Sequence, residues 1–125
     1  MMNLDRLLLA PAAGRPDAIA LHGDDGVLTW GEYERASRRL AQTLIAAGVR
    51  PGDRVAVSRL KSIEAYVAVH GVIRAGAVFV PIDPLAPAAS GQAVLAEADV
   101  AAAILDEHTT CLLYTSDAAD EVWGV

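Results

Sequence analysis

The sequence is 125 residues long and 54% apolar, with a formal net charge of −6. That length suits one domain with a real core and is too short for two ordinary ones, and its scattered basic residues form no stripe that could track the phosphates of a nucleic acid. No apolar run reaches the roughly eighteen residues of a membrane span and the opening LDRLLLA is too short for a signal peptide, so the reading is cytoplasmic, while the lone Cys111 can make neither an internal disulfide nor a zinc site.

In chain order, residues 1–16 contain Pro11, Gly14 and Pro16, which predict an irregular lead-in with at most one amphipathic turn. Ala18 to His22 reads as a short strand. His22-Gly-Asp-Asp-Gly26 is turn chemistry, so Val27 and Leu28 pair back on that strand as a hairpin. An adjacent aspartate pair could in principle ligate a metal, but between two strands a solvated turn is the commoner reading.

Thr29-Trp-Gly-Glu32 has the spacing of a capping box, in which the threonine hydroxyl and the glutamate carboxylate each satisfy an orphan amide of the helix start. Leu28 and Tyr33 flank it as a hydrophobic staple. From Tyr33 onward Ala36, Leu40, Ala41, Leu44 and Ala47 recur at helical steps, while Arg35, Arg38, Arg39 and Gln42 take the other faces. These arginines read as a solvated surface, with Glu34 placed to pair Arg38 one turn on.

Gly48 ends the helix, and Arg50-Pro-Gly-Asp53 carries proline and glycine at the centre of a type II turn. Arg54 to Ser58 follows as an inner strand. Ser62 then caps a second helix, Ile63 to Ala75, whose only strongly polar residues are Glu64, His70 and Arg74. A helix this apolar is expected to be sandwiched by other protein, more than a lone domain of this size readily supplies. His70 has two readings, a cleft acid or base and a core residue whose ring nitrogens bond nearby backbone; the second is preferred, because Glu64, six residues away, lies on another face. Lys61 and Ser62 adjoin a strand end where binding loops often sit, although capping accounts for Ser62.

Gly76 can close the second helix in a left-handed conformation. Val78-Phe-Val80 is a continuous apolar run, which predicts a strand covered on both faces, and Pro81, Pro84 and Pro87 turn the following segment into a stiff exit. Asp83 there reads as a partner for nearby backbone rather than a magnesium ligand. Ser90 to Ala98 predicts a poorly capped third helix despite Gly91, and Val100 to Leu105 a last strand. The alternation of strands and helices predicts an α/β fold with a parallel sheet and right-handed crossovers.

LTWGEYERASRRLAQTLIAAGVRPGDRVAV at 28–57 and GVIRAGAVFVPIDPLAP at 71–87 resemble two successive segments of the adenylate-forming, AMP-dependent synthetase and ligase enzymes, which include acyl-CoA synthetases and the adenylation domains of nonribosomal peptide synthetases. Tyr33 stands where the family usually has leucine, and Ala88-Ala-Ser-Gly91 where it has a more polar helix start. The resemblance covers about residues 16–106 and implies the opening portion of a larger adenylate-forming N-terminal domain: lead-in 1–16, partial domain 17–110 and a tail 111–125. It also implies, for a full-length parent, ATP and Mg2+, a carboxylate substrate, and coenzyme A or a carrier-protein thiol as acceptor. The general look of the segments leans slightly to an acyl-CoA ligase.

Binding and transferring an adenylate requires a phosphate-gripping Gly/Ser/Thr-rich loop and nearby positive charge. The 125 residues contain no such loop, and Lys61 is the only lysine. No catalytic, cofactor-binding or metal-binding residue is therefore assigned, and the chain alone is expected to be inactive. The other reading is a small non-catalytic α/β binding or protein-interaction domain that docks a partner on its apolar helix.

Cys111-Leu-Leu-Tyr-Thr-Ser-Asp-Ala-Ala-Asp-Glu121 resembles the translation of a transposase-type sequencing adaptor. The resemblance implies a non-native tail after Thr110. Without its three acidic residues, Asp117, Asp120 and Glu121, the net charge falls from −6 to −3. The alternative is a native strand CLLYTS followed by an acidic turn.

Overall fold

A computed structural model of the chain describes residues 5–24, 26–60 and 62–106. In order these form α1 (Asp5–Gly14), β1 (Ile19–Gly23), β2 (Gly26–Thr29), α2 (Trp30–Ala46), β3 (Arg54–Ser58), α3 (Ile63–Arg74), β4 (Val78–Pro81), α4 (Ala88–Ala98) and β5 (Ala102–Leu105). Residues 107–125, and with them the adaptor-like segment, lie outside the described residues, as do Asp25 and Lys61.

β3 is the centre of a three-stranded parallel sheet in the order β4-β3-β5. Its period-two alternation sends Val55 and Val57 to one face, where they join Ala102 and Ile104 of β5, Leu44 of α2 and Val72 of α3. Ala56 goes to the other face with Ala103, Leu105 and Ile82, packed by Val94 and Leu95 of α4. The result is three layers: α2 and α3, the sheet, and α4. The hairpin of β1 and β2 is a separate antiparallel sheet, as its turn chemistry implies.

One strand expectation is corrected. β4 has the apolar run of a doubly covered strand, yet among the described residues it is the sheet's edge, with Val78 50% exposed and Phe79 and Val80 only half-buried. The central position falls to β3, while β5, at the opposite edge, has all four of its residues buried. Composition reports a strand's compatibility with burial, whereas its place in the sheet depends on non-local pairing.

A second correction concerns the lead-in. Residues 5–14 are helical, with Pro11 inside the helix and the Pro11 carbonyl accepting from the Arg15 amide at 2.7 Å. Proline removes a single ladder bond at that point, and α1 is held by packing on α2, which overrides local propensity. The Pro16 carbonyl then accepts from the Gly31 amide at 2.9 Å; a Cβ on Gly31 would stand 3.2 Å from that oxygen.

The capping box forms as read from the sequence. The Glu32 amide donates to Thr29 Oγ1 at 3.2 Å and the Thr29 amide to Glu32 Oε1 at 2.9 Å. Thr29→Ala should destabilise the fold by about 1 kcal/mol, read as a lower urea midpoint. The backbone bond from Thr29 chiefly, then its hydroxyl and the Arg35 charge, hold the Glu32 carboxyl below its ordinary value. A lowered folded pKa contributes stability above the ordinary glutamate range, and this is lost as pH falls through the folded value. Urea midpoints of wild type and Glu32→Gln should therefore converge on acidification.

Between α2 and β3, Gly52 takes φ +87° at the third position of the predicted turn, and the Asp53 amide donates to the Arg50 carbonyl at 3.0 Å. Gly76 closes the exit of α3 at φ +79°. α4 starts at Ala88, two residues before the expected position, with no side-chain cap at its start. Its far end is held from β3: the Arg54 guanidinium donates from Nε to the Ala98 carbonyl and from Nη2 to that of Asp99 at 3.3 Å, where the chain turns left-handed at φ 51°.

Candidate functional site

In parallel α/β sheets the carboxyl ends of the strands are where ligands gather. Here β3 ends in Ser58, followed by Arg59 and Leu60, while β5 ends at Leu105 and is followed by Asp106. Arg59 donates from Nη2 to the Glu64 carboxylate in an ion pair and from Nη1 to the Leu105 carbonyl at 3.5 Å. The Leu60 amide donates to Asp106 Oδ2 at 3.1 Å. Arg59 and Glu64 stand at the polar end of a cleft of about 530 Å3 whose walls include Val27, Leu28, Leu40, Val67 and Ile104. Thus β2, α2, α3 and the sheet all contribute to one concavity. Among the described residues its one cation is already paired with Glu64, and they present no nucleophile paired to a base.

At the carboxyl end of β4, Asp83 Oδ1 accepts from the Leu85 amide at 2.9 Å. This is the backbone role read from the sequence. Among the described residues no group of three or more His, Cys, Asp or Glu side chains could hold a metal ion.

His70 sits away from the cleft, in the seam between α2 and α3. Its Nδ1 bonds the Tyr33 hydroxyl, which also reaches the Tyr66 carbonyl at 3.3 Å, and the two rings meet edge-on at 4.9 Å. Tyr33 thus gives His70 a side-chain partner from the neighbouring helix. Burial, with a smaller contribution from Tyr66, pushes the Tyr33 phenol well above its ordinary range. Ser62 caps α3, accepting from the Ala65 amide at 3.3 Å.

Sequence reasoning missed the polar centre of this seam. Arg74 donates to the Glu34 carbonyl at 2.8 Å and to Ser37 Oγ at 3.0 Å, and pairs with the Glu34 carboxylate at 3.3 Å. The expected Glu34–Arg38 pair is present at 3.5 Å but lies at the surface. Arg59 was also missed; its position directly after an apolar strand was the available signal. The arginines at 35, 38 and 39 are exposed, as read. The apolar α3 is covered by α2 and the sheet, and within it only Glu64 and Tyr66 are exposed, which leaves little face for the docking reading.

A family model described as AMP-binding enzyme matches residues 8–122. The chain belongs to the AMP-binding enzyme family. The match extends across the adaptor-like segment. Within the family, the chain is 40% identical over 94 residues to the nonribosomal peptide synthetase-like enzyme fsqF of Aspergillus fumigatus, covering 75% of this chain and 6% of that protein. Among solved structures it resembles the nonribosomal peptide synthetase FmoA3, with a TM-score of 0.88 and 30% identity over 99% of this chain and 13% of that one. A benzoate CoA ligase from Burkholderia xenovorans LB400 superposes with a TM-score of 0.85 and 27% identity, over 97% of this chain and 24% of the ligase. The N-terminal domain of FACL13 from Mycobacterium tuberculosis gives 0.86 and 25%, over 100% of this chain and 34% of that domain.

The chain thus spans a small part of the length of these relatives. Its three-stranded parallel sheet with flanking helices matches the N-terminal portion of adenylate-forming domains. No helix among the described residues is long and apolar enough to cross a membrane.

Proposed function

We propose that this chain is scaffold from the opening of an amino-acid-activating adenylation domain of the nonribosomal peptide synthetase kind, and that alone it forms no acyl-adenylate. The observation that carries the first half is the 40% identity to fsqF, which favours this branch over the acyl-CoA ligase leaning of the sequence segments. The second half rests on chemistry. Displacing pyrophosphate from ATP by a carboxylate needs a phosphate-gripping loop and a cation at the reacting phosphorus. The sequence contains no such loop, and the Arg59 guanidinium is held by Glu64.

In a full-length parent, the substrate carboxylate would displace pyrophosphate from Mg2+-bound ATP to give an acyl-adenylate, and a carrier-protein or coenzyme A thiol would then take the acyl group with release of AMP. A cytoplasmic setting accompanies this reading. ATP–pyrophosphate exchange on the purified chain, with panels of amino acids and of simple carboxylic acids, should stay at background. Robust exchange would overturn the inactivity, and a preference for the simple acids would overturn the branch.

The same reading includes a non-native segment from Cys111 onward, supported by its resemblance to a translated adaptor. Sequencing the source locus past Thr110 should give a continuation into a Thr/Ser/Gly-rich loop with lysine. An uninterrupted genomic read through CLLYTSDAADE would refute it.

A further inference from the structure

We draw no further inference here: the strongest candidate, the cleft of about 530 Å3 between β2, α2 and α3 with Arg59 at its polar end, carries nothing because its cation is already paired with Glu64 and nothing in the structure shows what covers its apolar walls.

Discussion

Arg74→Met should cost about 3 kcal/mol or more of folding stability. Arg74 and Glu34 are 13% and 15% exposed, so removing the guanidinium strands a carboxylate with little water to solvate it. The Glu34 carbonyl and the Ser37 hydroxyl lose a donor at the same time. The remaining partner, Arg38, is 51% exposed and offers Glu34 only a surface contact. Urea unfolding followed by circular dichroism reads the effect as a fall in midpoint without a change in slope. If the pair acts as a buried unit, Glu34→Leu in the Arg74→Met background should restore most of the loss, because two apolar side chains leave no unpaired charge. A single-variant loss below about 1 kcal/mol would instead class the pair with ordinary surface bridges.

The second large effect is steric and lies in the same seam. A Cβ on Gly71 would stand 2.6 Å from Cδ2 of Leu40, 2.7 Å from its Cγ and 2.9 Å from its Cβ. The flexible end of Leu40 could move aside, but its Cβ moves only with the α2 backbone. Gly71→Ala should therefore push α2 from α3 and destabilise the fold by about 1 to 3 kcal/mol, despite the better helix propensity of alanine. Trimming Leu40 tests the cause. In a double-mutant cycle, Leu40→Ala should be less harmful in the Gly71→Ala background than in wild type, by about 1 kcal/mol. An additive cycle would show that the seam does not depend on this close approach.

Both effects belong to long-range contacts, and this separates what the sequence disclosed from what it did not. The capping box at Thr29, the Gly52 turn and the Ser62 cap each depend on residues three or fewer apart, so their chemistry was readable directly. The bounds of β3 followed from a short apolar run between a turn and a cap. Gly71 and Arg74, by contrast, look ordinary in sequence. One reads as a weak point in a helix and the other as a basic residue in its last turn, until α2 is laid alongside. The same holds for β4, whose composition suits a central strand, and for α1, where Pro11 is a local breaker that packing overrides. At the carboxyl end of the sheet Asp83 was legible because its partner is two residues away. Arg59 was not, because Leu105 lies forty-six residues on.

The edge position of β4 also bears on self-association. The amides of Val78 and Ile82 donate inward, to the carbonyls of Asp53 and Val57, and Val80 shares their side of the strand. Phe79 and Pro81 therefore face outward, and Pro81 has no N–H to offer. A foreign strand approaching this border finds one amide donor where a regular edge would present two. Sheet edges of apolar composition invite stacking into fibrils, and a proline at an outward-facing position is among the simplest safeguards against it. Among the described residues, the proline that read in the sequence as the end of a strand thus also leaves this border with one amide donor fewer for a foreign strand.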